Sequence, residues 1–149
     1  MTFQGEYNNT IDAKGRASIP ARFREILSAA FGGEGLKVTR RNGALLAYPL
    51  SEWKKIEDNV AEMPAGPRRE DIYRVLIGPA QECPFDKQGR VQIPQALRTY
   101  AGLDKERDVV IVGLVNKIEI WSQSRHAMEM LQSEERLKAE PQSLAELGF

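Results

Sequence analysis

The chain has one cysteine, Cys83, and one histidine, His126, in 149 residues. A lone thiol allows no intrachain disulfide, which fits a reducing compartment and predicts a cytoplasmic protein. A lone imidazole leaves no histidine-rich metal site and no ordinary Ser-His-Asp triad. Cys83 stands in a strand-like stretch beside Pro84 and reads as an inert core thiol. His126 falls in a helical stretch, at the surface or partly packed. No run approaches the roughly 20 apolar residues that span a bilayer, and the opening MTFQGEYNN lacks the basic-then-apolar pattern of a signal peptide. The glycine-rich stretch Gly32–Gly35 lacks the Lys-Ser/Thr that completes a phosphate-binding loop. With no catalytic constellation, the expectation is a non-enzyme with no cofactor, metal, membrane or small-molecule substrate.

Net charge is missing as well: 21 Lys and Arg balance 21 Asp and Glu. The sum argues weakly against nucleic acid, but the distribution says more. From Met1 to Leu50 seven cations face four anions, whereas from Arg125 onward five glutamates face three cations. One end is basic and the other acidic. Trp53 and Trp121 occupy apolar positions and read as core or subunit-contact residues.

What the chain does have is a repeat. Thr10–Arg24 reads TIDAKGRASIPARFR and Pro84–Arg98 reads PFDKQGRVQIPQALR, with Asp12 and Asp86 74 positions apart. A duplicated D-x-x-G-R-x-x-I-P-x-x-x-R means one supersecondary unit used twice. A unit of about 50–60 residues buries little apolar surface and is marginal alone, so two should share a core.

Each unit predicts the same element order. Glu6–Ile11 is a short strand, Asp12–Gly15 a tight turn, Arg16–Ile19 the return strand, and Ala21–Ala30 a helix begun by Pro20. Phe23, Ile26 and Leu27 share the buried face of that helix. Leu36–Arg40 and Ala44–Tyr48 flank Asn42-Gly43, a strong hairpin signal, with Arg40-Arg41 a solvated hairpin end. Ser51 caps a helix over Glu52–Met63, with Trp53, Ile56 and Val60 at core spacing. The second unit repeats this: strand Ala80–Phe85, turn Asp86–Gly89, strand Arg90–Ile93, helix Pro94–Ala101 and a hairpin of Val109–Gly113 with Lys117–Trp121. A long helix, Ser122–Ala139, follows, with Met128, Leu131 and Leu137 on its buried face. The units therefore span 5–63 and 80–140, joined by a linker with a short helix over 64–79. Residues 141–149 form a loose tail, because Pro141 ends any helix there. The class is α+β, a tandem of two β-β-α-β-β-α units packed as a pseudo-dimer.

Asp12, Gly15, Asp86 and Gly89 are what tight turns require. Arg16 and Arg90 have no backbone role there. Each either pairs with its turn aspartate or points outward from the tip. The outward arrangement is the expectation, since Lys14 and Lys87 add charge to the same tips. An arginine fork matches phosphate or the O6/N7 edge of guanine, and a two-stranded ribbon fits the major groove. Arg22 and Arg24, like Arg98, are either solvated helix surface or contacts to the DNA backbone. A competing reading is a scaffold whose tips and acidic tail dock other proteins.

MTFQGEYNNTIDAKGRASIPARFR resembles the amino-terminal signature of the MraZ family, built from two SpoVT-AbrB-type domains. The resemblance extends over nearly the whole chain, through both D-x-x-G-R turns, Tyr48-Pro49, Ile120-Trp121 and the long last helix. Thr2 extends the common M-F-R-G-E-Y start, and Gln4 replaces its Arg, removing one positive charge. The resemblance implies an AbrB/MraZ-like split β-barrel. It also implies a cytoplasmic, nucleoid-associated bacterial regulator of its own operon, a repressor in the division and cell-wall gene cluster. Its partners would be promoter DNA carrying short G-rich repeats and further copies of itself in a ring. The family's D-x-x-x-R motif lands on Asp12 and Arg16, and on Asp86 and Arg90. The expected DNA contacts are thus Lys14, Arg16, Arg22, Arg24, Lys87 and Arg90. A ring would add weak grips into affinity, with gains of about 100- to 10,000-fold when the geometry fits.

Overall fold

The computed structural model describes residues 2–149. The strands are β1 (Phe3–Thr10), β2 (Arg16–Ser18), β3 (Leu36–Arg41), β4 (Ala44–Pro49), β5 (Gln81–Cys83), β6 (Arg90–Gln92), β7 (Asp108–Val115) and β8 (Ile118–Ser122). The helices are α1 (Ala21–Phe31), α2 (Leu50–Ala61), α3 (Pro67–Ile72), α4 (Gln95–Ala101), α5 (Gln123–Lys138) and α6 (Pro141–Leu147), with one π-helical turn over Tyr73–Ile77. The mixture of helices and antiparallel strands is the α+β tandem expected.

The strand partners differ from the simple hairpins read from the sequence. Six strands form one sheet in the order β1-β7-β8-β4-β3-β5, and β2 pairs with β6 in a separate ribbon. β1 lies antiparallel to β7 from Phe3 opposite Val115 to Thr10 opposite Asp108. β5 adds to β3 with Cys83 opposite Leu36. Each unit thus lends its first strand to the other. Across the Asp turns only the single bridges Ile11–Ala17 and Phe85–Val91 remain. A lone two-stranded hairpin is marginal in water, and exchange gives every strand a partner over a shared apolar face.

The exchange builds a pseudo-twofold axis. Ala17 faces Val91, its own counterpart in the repeat, and Leu46 faces Glu119 in the β4–β8 pair. The core follows that axis: Phe23, Ile19, Leu36 and Leu45 from the first half meet Ile93 and Ile111 from the second in one buried cluster. Phe3 and Tyr7 meet Phe23 edge-on at ring-centroid distances of 5.5 and 5.2 Å. A smaller cluster of Leu46, Tyr48 and Trp53 lies under α2. Trp121 and Cys83 are buried as expected.

Several local expectations are corrected. α2 begins at Leu50 behind Pro49, and Ser51 makes no capping bond; Pro49 sets the extended entry that a cap would otherwise provide. Ser122 does cap α5, accepting from the Arg125 amide at 3.3 Å. Residues 141–147 are helical rather than loose, with Pro141 in the first turn, where its missing N–H has no intrahelical partner to lose. Arg41 is exposed as expected, but Arg40 is half-buried and tied down: its guanidinium lies 4.9 Å above the Tyr100 ring, and its Nε donates to the Val75 carbonyl. Met128, Leu131 and Leu137 are exposed rather than buried.

Candidate nucleic-acid interface

The two Asp turns are near copies of each other. Asp12 Oδ1 accepts from the amides of Lys14 at 3.0 Å and Arg16 at 2.8 Å. Asp86 Oδ1 accepts from Gln88 and Arg90, both at 2.9 Å. The backbone closes each loop, Gly15 N–H donating to the Asp12 carbonyl at 3.0 Å and Gly89 N–H to the Asp86 carbonyl at 3.1 Å. The aspartate side chain therefore stands in for a turn carbonyl, which is why Asp opens both loops. The bonds from the Arg16 and Arg90 amides, followed by those from their side chains, hold both carboxyls below the usual carboxylate range, against the opposing pull of partial desolvation.

Arg16 and Arg90 do not project freely from tips, which corrects the expectation. Arg16 Nε donates to Asp12 Oδ2 at 2.6 Å, and Arg90 Nε donates to Asp86 Oδ2 at 2.8 Å. The physical reason is proximity: a carboxylate four residues back already faces the strand start, and a charge-assisted bond there is stronger than one to water. The pairing engages the side of each fork. The arginine side chains keep 32% and 27% of their exposure. Arg90 Nη1 also approaches Asp12 Oδ2 at 4.0 Å, so the two turns stand side by side across the pseudo-twofold.

The closing arginines of the repeated motif do something the sequence reading missed. A Cβ on Gly15 would lie 2.7 Å from the Arg98 guanidinium carbon, and one on Gly89 2.7 Å from that of Arg24. Each half sends an arginine from its helix over the turn glycine of the other half. Both glycines have positive φ, +83° and +75°, and both are closely covered, so they serve the loop conformation and the brace together. Arg24 Nε donates to the Ile19 carbonyl at 3.1 Å, and Arg98 Nη2 donates to Gln95 Oε1 at 2.9 Å. Backbone bonds reinforce the exchange: Ile19 N–H donates to the Gly89 carbonyl at 3.2 Å and Ile93 N–H to that of Gly15 at 2.8 Å. Gln92 Nε2 adds a bond to the Lys14 carbonyl at 2.9 Å. The signal was present in the sequence, because Arg24 and Arg98 close the repeat at matching places.

The remaining cations divide clearly. Lys14 and Lys87 are exposed, and among the described residues neither has an ion-pair partner. Arg22 is exposed and lies 3.5 Å from Glu25. Arg24 is committed to its brace. Beside the second turn a cleft of about 720 Å³ is lined by the cations Arg16, Arg90 and Lys87, and also by the carboxylates Glu82 and Asp86. The arrangement offers guanidinium forks clamped by Nε and flanked by exposed lysines, chemistry suited to a polyanion. The described residues contain no group of three or more His, Cys, Asp or Glu placed to hold a metal ion, and no helix long and apolar enough to cross a membrane.

The family model described as "MraZ protein, putative antitoxin-like" matches this chain twice, over residues 2–71 and 76–145. The chain belongs to the MraZ family. The two matches begin 74 positions apart, the same displacement as the two aspartates, so the family unit and the repeat coincide. Relatives align end to end. A protein of Syntrophotalea carbinolica named Transcriptional regulator MraZ is 51% identical, with 100% of both chains covered. One so named from Desulfitobacterium hafniense is 43% identical, and another from Geobacter sulfurreducens is 37% identical, each with 99% of both chains covered.

Proposed function

We propose that this MraZ-family chain is a sequence-specific, double-stranded-DNA-binding transcriptional regulator, cytoplasmic and nucleoid-associated. In this reading it represses its own operon in the division and cell-wall gene cluster. It grips short G-rich direct repeats with an oligomeric ring. The halves 5–63 and 80–140 act as its two SpoVT-AbrB-type units. The supporting observation is the pair of Asp–Arg turns set side by side, with Arg90 Nη1 4.0 Å from the opposite aspartate.

The chemistry follows from the clamp. Asp12 and Asp86 hold Arg16 and Arg90 by Nε, fixing the direction of each fork before DNA arrives. A side chain already immobilised loses less freedom on binding. The Nη groups meet phosphate or the guanine edge, and each good bidentate base contact discriminates by about 1–3 kcal/mol. Lys14, Lys87 and Arg22 add phosphate contacts, which supply salt-dependent affinity without sequence preference. Arg24 contributes through the brace over Gly89. Several turns on a ring then engage successive repeats together.

The test is binding of the full chain to the upstream region of its own operon, by mobility shift across a salt series, with a repeat-free duplex as control. Arg16→Ala should lose the preference for the repeats while retaining weak, salt-sensitive binding. Arg16→Lys should restore charge but not the preference, because a point charge lacks the fork. Equal binding of both duplexes by the wild-type chain would remove the reading and favour a protein-docking scaffold.

A further inference from the structure

We propose that Gln92 is a second base-reading residue of this chain, taking the edge of an adenine in the base pair beside the guanine met by Arg16. The proposal rests on the reading of the two turns as a DNA grip. It adds which base is read next, and on which side.

The β2–β6 ribbon has one covered face and one open face. Ala17 lies opposite Val91, and both are fully buried. Side chains alternate along a strand, so Arg16, Ser18, Arg90 and Gln92 share the other face. Arg16 stands opposite Gln92, and Ser18 opposite Arg90. Ser18 and Gln92 are exposed, and the two arginines are half-buried. The pseudo-twofold that matches Arg16 with Arg90 also matches Ser18 with Gln92, again 74 positions apart. The open face is therefore symmetric in its arginines and asymmetric in its polar residues.

Gln92 is held ready for a ligand. Its Nε2 donates to the Lys14 carbonyl at 2.9 Å, across the ribbon. A carbonyl oxygen only accepts, so the amide must turn its nitrogen to that partner. Among the described residues no donor meets Oε1, and the second N–H is also without a partner. An acceptor and a donor on one amide match the N6 and N7 edge of adenine. The bond to Lys14 restrains the side chain in advance, which lowers the ordering cost of binding. Ser18 carries one hydroxyl on a short side chain and cannot form the same pair. Residues opposite one another in such a ribbon have Cβ atoms about 4.5–5.5 Å apart. Successive bases are about 3.4 Å apart, so Arg16 and Gln92 suit neighbouring base pairs.

The cleft of about 720 Å³ favours a base edge on the Gln92 side. Arg16, Arg90 and Gln92 line it, and Ser18 does not. Its charge is nearly balanced: each arginine is paired with its own aspartate, and Lys87 is offset by Glu82. A phosphate gains little in such a place, whereas a neutral edge of donors and acceptors is well suited to it. Phosphate contacts fall to Lys14 and Arg22, which do not line the cleft.

Selection of duplexes from a library with a randomised core, using the full chain, tests this. The sequenced wild-type fraction should show guanine with adenine on one side. That adenine should be favoured about 5- to 150-fold, the discrimination of one bidentate contact. Gln92→Ala should lose the adenine and keep the guanine, and Ser18→Gln should add a second adenine on the opposite side. Both positions are exposed, so thermal midpoints should stay close to the wild-type value. If Gln92 only steadied the Lys14 turn, Gln92→Ala would weaken every duplex alike and leave the selected sequence unchanged. That result overturns the proposal, as does a wild-type selection with no adenine beside the guanine. A Ser18→Gln site that stays one-sided overturns the assignment of sides. Guanine selected by the wild-type chain and lost in Arg16→Ala, with Gln92→Ala selecting as the wild type does, removes the role of Gln92 alone. A wild-type chain that selects no sequence removes the grip as well.

Discussion

Replacing Gly15 with alanine tests the brace between the two halves, and Gly32 supplies its control. Gly15 and Gly32 both have left-handed φ, +83° and +75°. A Cβ on Gly32 meets nothing within 4 Å, whereas one on Gly15 meets the Arg98 guanidinium at 2.7 Å. Alanine in the left-handed region costs about 1–2 kcal/mol, offset by about 0.4–1 kcal/mol from the stiffer unfolded chain. Gly32→Ala should therefore destabilise by about 1 kcal/mol, a fall of about 2–4 °C in Tm for a chain of this size. Gly15→Ala carries the same backbone strain and also pushes Arg98 off the turn. Arg98 is a flexible side chain and can move, so the added loss is its packing, about 1–2 kcal/mol on the scale of coupled neighbours. Thermal unfolding of Gly15→Ala, Arg98→Ala and the double variant isolates that coupling. In the Arg98→Ala background the glycine change should cost only what Gly32→Ala costs. Equal costs with and without Arg98 would refute the brace. Gly89→Ala with Arg24→Ala should repeat the pattern across the pseudo-twofold.

Other consequences are equally direct. The carboxyls of Asp12 and Asp86 titrate below their ordinary value, so their stabilisation is whole above about pH 4 and is lost as pH falls through the lowered pKa. Acid unfolding should show the Asp12→Asn/Asp86→Asn variant less stable at neutral pH and less sensitive to the drop from pH 5 to 2. Burial pushes the Cys83 thiol up to about 11, so at pH 8 it should react with a disulfide reagent about 100-fold more slowly than in denaturant; equal rates would contradict the packing of β5 against β3. Phe23→Ala removes the ring beneath Phe3 and Tyr7 and should cost about 3–5 kcal/mol in denaturant unfolding.

The repeat made much of this molecule legible in advance. Pro20, Asp12 and Gly15 act locally, within a few residues of themselves, and so the turns, α1 and the doubled plan were readable from spacing. Strand exchange was not, because β1 alternates much the same whether it pairs with β2 or with β7. Side-chain pattern fixes which face is buried but not which unit supplies the neighbour. The orientation of Arg16 and Arg90 turned on a competition between a carboxylate four residues away and solvent, and the nearer partner won. Met128, Leu131 and Leu137 were assigned inward on the rule that apolar helix faces meet their own core. In α5 the rule fails, because His126 and Glu129 hold the inward positions.

That failure and the repeat are connected. Two identical chains related by a true twofold axis must carry the same residue at every equivalent place, so their two surfaces are equal and their contacts tend to be isologous. Joining the halves in one chain removes the constraint. The core and the turns retain the symmetry: Ala17 faces Val91, and Arg24 and Arg98 brace opposite glycines. The periphery has diverged. Lys14 corresponds to Gln88, Trp53 to His126, and a buried helix face to an exposed one. A chain that is symmetric where its halves interlock and asymmetric where they meet the outside can hold two similar grips on one side. If the divergence is confined to the periphery, restoring the symmetry there should spare the turns. Returning α5 to the α2 pattern, with polar residues at 128 and 131 and an apolar residue at 126, should leave Asp12 and Arg16 paired and the fold intact, so the acid-unfolding profile set by the two aspartates should match that of the wild-type chain; a changed profile would show that the turns depend on α5.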